Sequence, residues 1–99
     1  LLPTVLEYNA LADNGRYEVI YRAIKEGNDP VEGFKTEMLI NAVKKLNADC
    51  GIPASLSCVG VKDTLIAEMA NDAMKSGNIL VNPRQSTFKD IVELYNKAL

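Results

Sequence analysis

The sequence predicts an all-α fold, a bundle of about five helices, and three observations carry that prediction. Apolar residues recur at three- and four-residue steps along most of the chain, the spacing that gathers them on one face of a helix. No segment bounded by turns reads as the alternating apolar and polar run of a half-buried strand. Glycine, proline and Asn-rich clusters close each apolar stretch, as helix ends and turns require. With 99 residues, 47% of them hydrophobic and 24% charged, the chain is expected to form a single helical domain spanning 1–99 around one modest core.

The elements follow in order. The opening Leu1-Leu2-Pro3-Thr4-Val5-Leu6-Glu7-Tyr8-Asn9-Ala10 places Leu2, Val5 and Leu6 on one helix face. Pro3 is tolerated there, because the first turn of a helix has no intrahelical use for the missing N–H. Asp13, Asn14 and Gly15 end the segment. A second helix is expected from Arg16 to about Glu26, with Tyr17, Ile20, Tyr21 and Ile24 in one stripe, Gly27 ending it and Gly27-Asn28-Asp29-Pro30 forming a turn. The longest periodic stretch, Val31 to Cys50, sets Phe34, Met38, Ala42, Val43, Leu46 and Cys50 in register. Gly51 suits the left-handed residue that closes a helix, and Pro53 prevents resumption.

Ile52 to Gly60 reads as a compact loop. Asp63 is then placed to cap a fourth helix with the stripe Leu65, Ile66, Met69, Ala70, Ala73 and Met74, stopping at Ser76-Gly77. Asn78 to Gln85 reads as a loop holding an Asn82-Pro83 step, where the residue before proline is pushed away from helical dihedrals. Thr87 and Asp90 have the spacing of a capping box and open the last helix, from which Phe88, Ile91, Val92, Tyr95, Ala98 and Leu99 face inward.

Composition narrows function mainly by exclusion. Eleven Lys and Arg against thirteen Asp and Glu leave a net charge of −2, without the basic surplus that binding a phosphate backbone needs, so no nucleic-acid partner is expected. No window approaches the ~20 apolar residues of a bilayer span and the N-terminus lacks a signal peptide's pattern, so a soluble, cytoplasmic protein with no membrane partner is expected. Leu1 opens the chain inside an apolar run where Met would be usual, which suggests a cut fragment.

There is no histidine. A Ser-His or Cys-His nucleophile, an ordinary zinc site and a side chain titrating unperturbed near neutrality are thereby excluded, and with them most self-contained hydrolases and metalloenzymes. Cys50 and Cys58, separated by seven residues, fit neither a zinc knuckle nor a redox turn and read as structural thiols. Glu7, Glu18, Glu26, Glu37, Glu68 and Glu93 fall on the polar sides of their helices and read as a solvated surface. Gly51, Gly60 and Gly77 form no phosphate cradle and read as caps and turns, while Met38, Met69 and Met74 read as core gap fillers. Ser55 follows Ala54, not the Asp that a phosphopantetheine carrier needs. The stretch Ser76 to Arg84 stands out. Its residues Asn78 to Val81 are apolar-biased and pinned by Asn82-Pro83-Arg84, which suits either a pocket wall or the closing of the core's base.

Five motifs in order then resemble the C-terminal end of the iron-containing alcohol dehydrogenases. They are Leu1-Leu2-Pro3 with Val5-Leu6 and Tyr8-Asn9, Gly51-Ile52-Pro53 with Leu56, Val59-Gly60-Val61, Asn82-Pro83-Arg84, and Asp90-Ile91-Val92-Glu93-Leu94-Tyr95. The resemblance covers the whole chain. Gly77-Asn78 brings it nearest the branch of 1,3-propanediol dehydrogenase and lactaldehyde reductase, and Thr4 departs from the His usual there.

The resemblance implies a dehydroquinate synthase-like helical domain, partnered by an N-terminal dinucleotide-binding domain, and a parent reaction of reversible hydride transfer between NAD(P) and a small primary alcohol or diol and its aldehyde. It implies a divalent metal in the parent, Fe2+ or a Zn2+ substitute, whose Asp and His ligands all lie upstream of Leu1. No catalytic, cofactor-binding or metal-ligating residue is thereby assigned to this chain, which is expected to be inactive alone. Asn78, Ile79 and Leu80 are the residues expected to line the substrate pocket. A chain parted from neighbouring helices is also expected to self-associate through the apolar face they covered. The alternative reading is a free-standing helical interaction module.

Overall fold

Helix α1 (Leu2–Asn9) begins on Leu1 with Pro3 in its first turn and runs into a single 3₁₀ turn, Ala10–Ala12. In the computed structural model, which describes residues 1–25 and 32–99, it is followed by α2 (Arg16–Ile24), α3 (Thr36–Asp49), α4 (Ile66–Met74), α5 (Gly77–Leu80) and α6 (Phe88–Ala98). Single 3₁₀ turns at Ser57–Val59 and Asp63–Leu65 bridge α3 to α4. The described residues contain no strand, so the all-α expectation holds, with six helices in place of about five. The expected Gly27 stop, the Gly27–Pro30 turn, Glu26 and the Val31 start lie outside the described residues.

Local chemistry explains most boundaries. Gly15 takes φ +101° at the head of α2, a left-handed dihedral that glycine adopts without strain, and Asp13 Oδ1 accepts the Tyr17 N–H at 3.1 Å, satisfying a donor that the first turn leaves free. At the end of α3, Gly51 takes φ +72°; its N–H reaches the Ala48 carbonyl at 3.1 Å while the Ile52 N–H reaches Asn47 at 2.9 Å. These two bonds are the Schellman closure expected of that glycine. The Thr87 and Asp90 box is formed as read: the Asp90 N–H donates to Thr87 Oγ1 at 3.2 Å and the Thr87 N–H to Asp90 Oδ2 at 2.8 Å.

Packing is organised around α1 and α6. The main core joins Tyr17, Tyr21 and Leu39, with Leu6, Ala10, Phe34, Met38, Ala42 and Val43 against them. The Tyr17 hydroxyl donates to the Leu6 carbonyl at 2.7 Å, so that phenol is buried without an orphaned donor. Beyond it α4 lies along α6, and α6 packs back against α1. Ile66 and Ala70 of α4 and Ile91 and Ala98 of α6 are buried. The 3₁₀ loop finishes α6: the Leu56 N–H donates to Ala98 O at 2.8 Å, and the Ser57 N–H and hydroxyl both donate to Leu99 O.

Several side chains depart from the periodic reading. Leu39 (1% exposed) and Ile40 are the most buried residues of α3, whereas Leu46 and Cys50 are exposed. No described element covers the last turns of α3 on that side, so the stripe runs out of the core there. Ile20, Ile24, Leu2, Leu65, Met74 and Phe88 are likewise more exposed than their stripes imply, because no described element covers those faces. Both cysteines are free and exposed, so they are not core thiols; Cys58 Sγ accepts a bond from Ser55 Oγ at 3.3 Å. Asp63 does not cap α4, since the chain is already turning as 3₁₀ helix before α4 begins and the Asp63 side chain makes no cap bond.

Candidate functional site

Ser76 and Gly77, read as the end of the fourth helix, instead start the next one. Ser76 has an extended backbone, and its Oγ accepts the Asn78 N–H at 3.3 Å, which makes it the N-cap of the one-turn helix α5. Asn78, Ile79 and Leu80 therefore sit on a helical turn and not on the irregular loop their composition suggested. The reason is local: the serine supplies the cap, and glycine at the next position opposes no turn.

The three residues expected to line a pocket face different surroundings. Asn78 is exposed, Ile79 is half-buried and Leu80 is 89% exposed, with Val81 open beside it. An aliphatic side chain so fully in the open, on a turn held by neighbours on both sides, presents apolar surface outward. Closing the core's base, the alternative sequence reading, fits Ile79 only.

The turn that follows is bound to α1 by polar groups. Asn9 and Asn82 face each other as a reciprocal amide pair, each Nδ2 donating to the other's Oδ1 at 2.8 Å. The second N–H of Asn82 Nδ2 donates to the Arg84 carbonyl at 2.6 Å. Arg84 in turn donates to the Tyr8 carbonyl at 2.9 Å and lies 3.9 Å above the Tyr8 ring, a cation–π contact. The Tyr8 hydroxyl donates to Gln85 O at 3.0 Å and accepts from Ser86 Oγ at 3.1 Å. Asn9 is only 8% exposed, and every buried side-chain nitrogen and oxygen among the described residues has a partner.

Two motifs that looked separate in the sequence, Tyr8-Asn9 and Asn82-Pro83-Arg84, are thus one joint across more than seventy residues. A signal for it was present. Asn9 lies three and four positions from Leu6 and Val5, so a polar residue continues an apolar stripe, and a buried amide needs a partner elsewhere.

Two grooves lie away from α5. One of about 500 Å³ runs between α1, α3, residues 52–55 and α6, with Glu7, Lys44 and Lys97 at its rim. The other, about 130 Å³ and mostly apolar, is lined by Leu1, Val5, Ala73, Ile91, Leu94 and Tyr95. Neither includes Asn78, Ile79 or Leu80.

Among the described residues no three His, Cys, Asp or Glu side chains gather where they could hold a metal ion. The clearest electrostatic feature is Asp90, whose carboxyl is held below the usual aspartate range by the Thr87 backbone N–H, then by the Thr87 hydroxyl and more weakly by Arg84. It serves a helix start and faces no reacting group. No described helix is long and apolar enough to cross a membrane.

Comparison with known proteins follows the same lines. The model of the Fe-containing alcohol dehydrogenase family, C-terminal, matches residues 1–99. Over 99 residues the chain is 36% identical to 1,3-propanediol dehydrogenase of Citrobacter freundii, covering 99% of the chain and 26% of that protein. It is 39% identical over 102 residues to lactaldehyde reductase of Escherichia coli K12, with the same coverage. A crystal structure of 1,3-propanediol oxidoreductase superposes with a TM-score of 0.86 at 32% identity, over 99% of this chain and 26% of that one. The chain spans about a quarter of the length of the curated relatives it matches.

Proposed function

The chain belongs to the iron-containing alcohol dehydrogenase family, and from that premise we propose that it is the C-terminal helical domain, residues 1–99, of a cytoplasmic NAD(P)-linked dehydrogenase that interconverts a small primary alcohol or diol and its aldehyde. A dinucleotide-binding domain precedes it in the parent enzyme. Bound there, a nicotinamide would supply the hydride acceptor or donor, and a divalent metal, Fe2+ or Zn2+, would supply a Lewis acid for the substrate oxygen. Among the described residues no group of side chains fits the role of metal ligands, a role that belongs to the preceding part of the enzyme.

What this chain contributes is shape. Asn78, Ile79 and Leu80 form one wall of the alcohol pocket, with Leu80 supplying apolar surface and Asn78 an amide for hydrogen bonding. The observation that carries this reading is Leu80, 89% exposed on a one-turn helix whose far end is tied down by the side chains of Asn9, Asn82 and Arg84. Solvent alone gives no reason to present a leucine so rigidly.

The parent's cofactor sites lie outside these 99 residues, so the chain alone is inactive. Its uncovered apolar side chains, among them Leu11, Val19 and Leu46, promote self-association.

The test is kinetic. Purified alone, the chain should form no NADH or NADPH from n-propanol with added ferrous ion, and light scattering should show species larger than the monomer. In the enzyme that carries it, Leu80→Ala should raise KM for n-propanol several-fold while KM for the nicotinamide stays unchanged. Turnover by the chain alone, or an unaltered alcohol KM in Leu80→Ala, would reject the reading.

A further inference from the structure

Helix α5 has too little of its own to stay in place. It is a single turn, and isolated helices of that length do not persist in water. The bonds at its two ends are long: Ile79 N–H to Ser76 O at 3.2 Å, Asn78 N–H to Ser76 Oγ at 3.3 Å, and Asn82 N–H to Ile79 O at 3.4 Å. Apolar burial adds little, since Leu80 and Val81 are open and Ile79 is half-buried. The short bonds all belong to the residues just beyond it. Asn82 makes three between 2.6 and 2.8 Å, and Arg84 returns to Tyr8 at 2.9 Å.

We infer that Asn9, Asn82 and Arg84 are positioning residues, a polar latch that ties the end of α5 to α1 and so sets where Asn78, Ile79 and Leu80 stand. This role rests on the pocket-wall reading above. The latch has a firm anchor, because Leu6 of α1 packs on the Tyr17, Tyr21 and Leu39 core while Tyr8 and Asn9 hold the turn.

Its chemistry is specific at each member. A reciprocal amide pair needs a donor and an acceptor on both sides, so an aspartate at either position removes one N–H and sets two oxygens against each other. Arg84 must sit over the Tyr8 ring and still reach a carbonyl, which a forked guanidinium does and a lysine ammonium does only in part. None of the three needs to touch substrate for its loss to move the pocket wall.

Two measurements on the same variants separate the latch from the pocket. Hydrogen exchange on Asn9→Asp and Arg84→Gln should speed the amides of residues 79–82 at least tenfold, with α3 and α6 protected as before. In the enzyme carrying this chain, the same variants should raise KM for n-propanol at least fivefold, with kcat within about twofold and the nicotinamide KM unmoved. Arg84→Lys should recover part of the KM.

Exchange at 79–82 unchanged from the parent chain overturns the latch. Exchange that rises equally in α6 overturns it too, because the bonds then hold the whole bundle. Where Asn9→Asp does not fold, Arg84→Gln, which leaves the buried amide pair in place, is held alone to the same two criteria. Faster exchange at 79–82 with an unaltered KM leaves the latch standing as structure and rejects the pocket-wall reading together with the positioning role.

Discussion

Helix α1 is gripped in two ways. Leu6 enters a cluster of tyrosine, leucine and phenylalanine side chains whose cohesion is apolar area, while Tyr8 and Asn9 hold the Asn82–Ser86 turn through hydrogen bonds and one stacked guanidinium. The first contact is non-directional and spread over many residues, so it tolerates changes of shape that keep volume. The second is directional and concentrated in few atoms, and a change of one donor is felt at once. The comparison teaches that bulk stability and local placement are assigned to different chemistry in this small molecule.

Mutation can break that contrast at graded cost. Leu39→Ala, at the largest fully buried side chain, should cost ~2–5 kcal/mol, read as a lower urea midpoint with unchanged slope. Asn82→Ala leaves the buried Asn9 amide without its partner and should cost ~1–3 kcal/mol, whereas the double change with Asn9→Ala should cost less than the two single changes added. Equal effects on amide exchange throughout the chain from both variants would erase the contrast. It would be sharpened by loss confined to residues 79–86 in Asn82→Ala.

The capping box tests a third, purely local kind of hold. Thr87→Ala should cost ~1 kcal/mol, measured by the same urea titration. Asp90 adds a pH signature. Its folded carboxyl titrates below the ordinary 3.8, so its contribution is complete above that value and is lost as pH falls through the lower folded value. Thr87→Ala removes the hydroxyl but keeps the backbone N–H that is the larger cause, so it should flatten this acid limb only in part. Smallest of all, Arg22→Ala breaks a surface pair with Glu18 at 2.8 Å and should cost no more than ~0.5 kcal/mol, vanishing in high salt.

How much could be read beforehand follows the same division. The start of α6 was legible because Thr87 and Asp90 carry its whole signal within four residues, and the end of α3 because Gly51 does so alone. The buried face of α3 was misjudged toward Leu46 and Cys50, since periodicity locates a stripe but not where the elements that cover it end. At α5 the apolar run and the following Asn-Pro step masked a helix whose only local signal is the Ser76 cap. The family was legible from Tyr8-Asn9, Asn82-Pro83-Arg84 and three further motifs, yet the bond between those two was not, because hydrogen-bond partners more than seventy residues apart leave no mark on spacing.

The amide pair also bears on how the protein ages. Asparagine deamidates chiefly when the backbone nitrogen of the next residue attacks the side-chain carbonyl, and Pro83 has no N–H with which to close that ring. Asn82 is therefore shielded by its own successor from becoming an aspartate that could no longer donate to Asn9 and Arg84. Asn14, exposed and followed by Gly15, has no such protection, so in protein stored for weeks mass spectrometry should find the first conversion there, at a bend whose asparagine makes no side-chain bond to α5.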